Sequence, residues 1–164
     1  MEYNHLEYME NVATSLKEIA HSSNHKAFAT ASGMGLLEGL MEGITSLNLP
    51  CLVAIDDVSS RLAENDTDSI SEVPFYSFCI LKVANTNDSL AQRKAMRECK
   101  VLVKKVISKL RTDRRNGVDG LKYFDTGSVL ISGIGPVAGG YYGCSVSFSL
   151  LQPAGVVYNA SDWL

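Results

Sequence analysis

The chain has 164 residues, 46% hydrophobic and 20% charged, with a formal net charge of −3. Those values describe one soluble globular domain over residues 1–164, long enough to enclose a single core. They exclude a transmembrane helix, because no apolar run reaches roughly 20 residues. The start, Met1-Glu2-Tyr3-Asn4-His5, is acidic and polar and reads unlike a secretory signal. The expected location is the cytoplasm, or a particle assembled there.

Residues 4–20 predict an amphipathic helix, since Leu6, Met9, Val12, Ala13, Leu16 and Ile19 recur at helical spacing. Glu7 and Glu10 near its start suit the helix dipole, and the polar run His21–His25 ends it. Ala27–Ala31 is short and apolar, as for an edge strand. Leu36, Leu37, Leu40, Met41 and Ile44 predict a second short helix. Its glycines, Gly35, Gly39 and Gly43, form a smooth face for close packing on a sheet. Pro50 opens a strand, Cys51–Asp56, and an acidic loop follows with Glu64, Asp66, Asp68 and Glu72. Pro74 opens a second strand, Phe75–Ala84, apolar on both faces and therefore central.

Ser89-Leu90-Ala91-Gln92 matches a capping box, in which the Ser and Gln side chains each satisfy a free amide. The stripe Cys99, Leu102, Val103, Val106, Ile107, Leu110 predicts a helix over 89–111, ended by Arg114-Arg115-Asn116-Gly117. Tyr123–Ser132 and Tyr141–Leu151 predict hairpin arms joined by a long, mobile Gly/Pro-rich turn over 133–140. In the last arm Cys144, Val146, Phe148 and Leu150 alternate with Ser145, Ser147 and Ser149, the period of a half-buried strand. There is no internal repeat. The element order predicts an α+β fold: a mostly antiparallel sheet of 4–5 strands, with the N-terminal helix and the long helix on one face.

Two surfaces stand out. The serine face carries no charge, which suits either solvent or a packed subunit or helix, with Ser145, Ser147 and Ser149 as the packing residues. Residues 93–115 hold ten cations against two carboxylates, +8, so the remainder of the chain carries −11. At 100° per residue Arg93, Arg97, Lys100, Lys104 and Arg111 fall on one ridge away from the apolar stripe. Three readings fit that ridge: an ordinary charged outer face, a track for phosphates, or a contact with the acidic 56–72 region of a neighbouring copy. The last is the head-to-tail geometry that closes rings.

No chemistry assembles. Cys51, Cys79, Cys99 and Cys144 include no CxxC pair, so buried free thiols are expected and neither a disulfide framework nor a zinc site. Gly133-x-Gly135-x-x-Ala138 imitates a dinucleotide fingerprint, but a strand follows where the phosphate needs a helix. Asp56-Asp57 with Lys82 resembles a nuclease metal site, yet Ile80 stands where that site needs a carboxylate. His21 and His25 have a ligand-like spacing without a third partner, and no G-x-S-x-G elbow exists. No catalytic residue, metal or cofactor is expected.

The N-terminal helix, strands starting near Pro50 and Pro74, long helix and final strand pair together resemble the phage tail-terminator and neck-protein group. Tyr142-Gly143, the ending Phe148-Ser149-Leu150 and a short tail with Trp163 are similar too. The resemblance covers residues 50–163 at the level of element order; residues 27–47 depart from the simplest pattern. It implies a non-enzymatic ring subunit that caps a tail tube and joins it to the head, in the host cytoplasm or the virion. Its implied partners are copies of itself, tail-tube or head-completion proteins and, transiently, DNA passing the basic ridge. The rival readings are a nucleic-acid-binding protein of a mobile element using helix 89–111, and a small ligand-binding domain using the 133–140 loop.

Overall fold

The computed structural model describes residues 3–32, 44–56, 59–64, 70–154, 156 and 159–163. Helix α1 spans His5–Ser15. Asn4 caps it: its Oδ1 accepts the Glu7 amide (3.2 Å) and its Nδ2 donates to the Glu7 carboxylate (3.1 Å). The helix is shorter than the 4–20 expected from spacing. The hydroxyls of Thr14 and Ser15 donate back to the carbonyls of Glu10 and Asn11, an alternative to the helical ladder. Residues 16–20 form a turn with Ala20 at φ 49°, and that turn still buries Ile19 completely. Apolar spacing located the buried side chain but overstated the helix.

Seven strands follow among the described residues: β1 (Phe28–Ser32), β2 (Cys51–Asp56), β3 (Ser60–Glu64), β4 (Ile70–Val83), β5 (Leu130–Val137), β6 (Tyr141–Ser149) and β7 (Gln152–Pro153). The main path runs β1-β2-β4-β6-β5, with only the β1–β2 pairing parallel. Those five strands are the sheet expected from sequence. Strand β4 is longer than predicted, and its outer half, Ile70–Pro74, pairs with β3 on one edge and β7 on the other. The protein is thus α+β with a mostly antiparallel sheet, and β4 is central. The second short helix expected over 36–44 lies outside the described residues, Ile44 excepted.

Helix α2 spans Ser89–Arg115, one turn beyond the stripe that predicted it. Its N-cap is Asp88 rather than Ser89. The Asp88 carboxylate accepts the amides of Leu90 (2.9 Å) and Ala91 (3.0 Å), where the helix dipole favours an anion. Gln92 reaches the carbonyls of Asn85 and Thr86 and closes no capping box.

The last hairpin is displaced from its predicted position. Residues 123–129 form no strand: Phe124 makes only an isolated antiparallel bridge to Leu150, a 3-10 turn follows at Thr126–Ser128, and β5 runs on through the glycines to Val137. The supposed mobile turn is therefore mostly strand, with a register shift between Ile134 and Val137 and a tight turn at 138–140. Gly135 has a structural reason: at φ 139° a Cβ there would lie 2.4 Å from the Tyr142 ring.

Both helices pack on one side of the sheet. Met9, Val12, Cys99, Val103, Val106 and Leu110 meet Leu52, Ala54, Phe78, Ile80, Cys144, Val146 and Phe148 in the main core. A smaller cluster covers part of the opposite side. There Ile44, Leu47, Leu49 and the hairpin tip at Val137–Ala138 lie on Cys51, Val53, Ile55, Cys79 and Leu81.

Candidate functional site

Helix α2 separates its charges by the side they occupy. On its flanks each carboxylate is spoken for: Glu98 pairs with Lys82, and the buried Asp113 pairs with Lys109 (2.6 Å) and accepts the Tyr8 hydroxyl (2.7 Å). Lys105 pairs with Glu18 beyond α1. On the outer ridge Arg93, Arg97, Lys100, Lys104 and Arg111 are all exposed, as predicted, and Arg115 extends the row. None of the six makes an ion pair among the described residues; Arg93 donates to the Ser89 carbonyl of its own helix (3.1 Å). Arg93–Arg97, Lys100–Lys104 and Arg111–Arg115 are like-charge pairs at i,i+4, each destabilising by roughly 0.2–0.5 kcal/mol. An ordinary solvated helix face intersperses carboxylates; this ridge, roughly 33 Å long at 1.5 Å per residue, has none.

The far face of the sheet is the other candidate surface. Register places Phe75, Ser77, Cys79 and Leu81 of β4 beside Ser149, Ser147, Ser145 and Gly143 of β6, with Leu130 and Ser132 of β5 next. Among the described residues of β1, β2, β4, β5 and β6, no position on this face from Phe75 onward along β4 carries a charge, from Ala29 and Ala31 at one edge to Leu130, Ser132 and Ile134 at the other. The first charge is Arg61 of β3, opposite Val73 on the outer half of β4. The smaller cluster covers the half nearest β1 and β2. Phe75 (38% exposed) and Leu130 (62%) flank half-buried Ser77, Ser145 and Ser147. Ser149 stands apart from the other two serines. It is buried, and its amide donates to the Ser128 hydroxyl (2.9 Å) of the 3-10 turn.

The acidic region expected to face the ridge is described only in part. Asp56 and Glu64 are exposed and Glu72 is half-buried, while Asp57, Asp66 and Asp68 lie outside the described residues.

His5 is a feature the sequence reading missed. It sits at the end of α1 against β4, buried, with Tyr76 and Phe148 rings 5.2 and 5.9 Å away. Nε2 lies 2.7 Å from the Ser77 carbonyl and so donates to it, leaving Nδ1 to accept the Tyr3 hydroxyl at 3.2 Å. Burial, first, holds the imidazole below its ordinary pKa, and burial holds the Tyr3 phenol well above its own. The pair is a neutral clamp between the N-terminus and the sheet. It borders a depression of about 550 Å3 with Asp56 and Glu7, but an imidazole with both nitrogens engaged and an un-ionised phenol supply no base or nucleophile. A lone histidine one residue into an amphipathic helix carries no sequence signal for burial.

The other chemical candidates do not converge. His21 Nδ1 accepts the Ala27 amide (3.1 Å) and its ring lies against Phe28, while His25 is tied through its backbone to Ser22. No group of three or more His, Cys, Asp or Glu is placed to hold a metal among the described residues. All four cysteines are free and buried, and desolvation pushes the Cys51 and Cys99 thiols up to about 12. Thiols of that kind are packing groups. Lys82 is committed to Glu98, and Ile80 is fully buried where a nuclease needs its second carboxylate.

No protein-family model matches this chain, and no curated protein or solved structure matches it at a significant level. The two surfaces therefore carry the functional argument.

Proposed function

We propose that this chain is a non-enzymatic assembly subunit of a phage or prophage tail. It forms a tail-terminator-like or neck-like ring through contacts between its own copies, and it meets tail-tube or head-completion proteins. It acts in the host cytoplasm or in the virion. The observation that carries the proposal is the uncharged sheet face bearing exposed Phe75 and Leu130. A solvated face ordinarily carries charges that discourage association; a neutral, partly apolar one suits burial against a subunit. The arm made by β3, β7 and the outer half of β4, with Leu62 and Leu151 exposed, offers a second contact. In a ring the ridge from Arg93 to Arg111 would line the channel or meet a neighbour's acidic region.

The test is solution mass by light scattering at low and high salt, for the wild type and for Phe75→Glu/Leu130→Glu. A discrete multimer is expected, reduced to monomer in the double variant with helix content unchanged. Arg97→Glu/Lys104→Glu should loosen it in a salt-dependent way if charge closes the ring. A wild type that is monomeric at every concentration and salt, alone or with tail proteins, refutes self-assembly.

The absence of any carboxylate on the ridge favours a second reading, nucleic-acid binding by α2 within a mobile element. It predicts affinity that falls steeply with salt and is shared among sequences.

A further inference from the structure

The chain leaving helix α2 builds two adjoining depressions that share Arg114 and Lys122. The first, about 360 Å3, is lined by Arg111, Arg114, Arg115, Lys122 and Thr126. The second, about 350 Å3, is lined by Val118, Asp119, Tyr123, Leu151 and Pro153 besides the shared cations. Both fall within the roughly 300–1,000 Å3 of ordinary small-ligand sites.

Four cations converge on the first depression, and no carboxylate lines it among the described residues. Cations at a helix C-terminus usually answer its free carbonyls. Here three of the last four carbonyls are already answered. Thr112, Asp113 and Arg114 accept the amides of Asn116 (3.0 Å), Val118 (3.0 Å) and Gly117 (3.2 Å). Asp113 is committed to Lys109 and Tyr8, and Asp125, beside Thr126, accepts the Gly127 amide (2.8 Å). None of the four cations makes an ion pair among the described residues, and three of them are planar guanidinium forks suited to phosphate oxygens.

The second depression is formed by chain that is held in place. Gly120, at φ 80°, passes so close to Tyr3 that a Cβ would lie 2.6 Å from the Tyr3 Cα. Leu121 and Phe124 are completely buried, so Tyr123 is presented from an anchored loop. Tyr123 is 48% exposed, with Lys122 Nζ 5.1 Å from its ring centroid. An exposed aromatic next to a cationic cluster is the pairing that receives a planar apolar group attached to a phosphate.

We infer that this double depression binds a nucleotide unit. The phosphate lies among Arg111, Arg114, Arg115 and Lys122, and the base lies beside Tyr123, Leu151 and Pro153. The unit comes either from a free nucleoside triphosphate or from a single strand, whose backbone would continue along the ridge through Arg111. The inference does not depend on ring formation.

The full-length protein is titrated with ATP, inorganic triphosphate and a labelled oligothymidylate, between about 50 and 200 mM salt. Arg114→Ala/Arg115→Ala should weaken every probe that binds by roughly tenfold or more. For the strand it should also flatten the log–log salt dependence by roughly 1.4, about 0.7 per lost phosphate contact. Tyr123→Ala should weaken ATP or the strand roughly 5- to 150-fold while leaving triphosphate and the salt slope unchanged. Binding of ATP with these sensitivities assigns a free nucleotide; binding of the strand without ATP assigns a strand. The inference is overturned if no probe binds, or if Arg93→Ala/Arg97→Ala abolishes binding while the pocket variants do not. It is equally overturned if Tyr123→Ala leaves both ATP and strand affinity unchanged. All the substituted residues are exposed, and thermal melts of each variant verify the fold. Light scattering on the same samples separates the two ideas: a monomer that binds bears only against the ring, and a multimer that binds nothing refutes only this site.

Discussion

Strands β4 and β6 present two faces built from alternate residues, and the faces differ in what covers them. On the helix side Phe78, Ile80, Val146 and Phe148 are at most 1% exposed. One residue along, Ser77, Ser145 and Ser147 are half-buried and Phe75 is open. The helix side is large and apolar because two helices close over it. The far side beyond the small cluster is neutral without being filled by a described element. Apolar alternation thus records where a helix lies, while the uncharged alternate positions leave the other side suited to solvent or to a partner.

The largest contrast should come from aromatic truncation on either side. Phe148→Ala should cost about 3–5 kcal/mol, because neighbouring Tyr3, Tyr76 and Phe124 rings hold the cavity open. Phe75→Ala, on the strand beside it, should cost about 1 kcal/mol or less in the isolated chain. Urea unfolding of both variants reads the difference. Equal losses would mean that the far side is packed too.

Electrostatics should divide along the same line. Asp113→Ala removes the buried acceptor of the Tyr8 hydroxyl and should cost about 1–3 kcal/mol. Arg97→Ala on the outer ridge should cost nothing measurable, and relief of its repulsion with Arg93 should leave the melting temperature level or slightly raised.

The smallest effect is expected at the N-terminus. His5 is held neutral in the folded chain, with its pKa below the ordinary 6.5. As pH falls through about 6.5 the unfolded chain takes up a proton that the folded chain refuses, so stability drops until the folded pKa is reached. Melting temperature should therefore decline from pH 7 towards 5.5, and His5→Gln should flatten that decline whatever its effect at pH 7. A slope unchanged by His5→Gln would mean that the imidazole titrates freely.

Much of this architecture was legible because it rests on local period. Strand β2 appeared between its predicted ends, the Cys144–Leu150 alternation predicted which side faces the helices, and the α2 stripe separated the core from the cationic ridge. What misled was punctuation. Glycines in 133–140 read as a mobile turn, although Gly135 is there to clear the Tyr142 ring within a strand. Ser89 looked like a cap beside Asp88, and only the folded backbone shows which side chain reaches the free amides. Strands β3 and β7 gave no signal, because their short, polar segments become strands only by pairing with β4.

The α+β class, the order of the main elements, the ridge on α2 and the uncharged character of one sheet face are all written in the unfolded chain. Those properties follow from side-chain periodicity, which a chain carries before it folds. Tertiary structure alone decided that His5 is buried, that Ser149 is removed from the open face, and that Lys122 joins Arg111, Arg114 and Arg115. Each of these brings together residues distant in sequence or separated by a turn, and no local period encodes such a meeting.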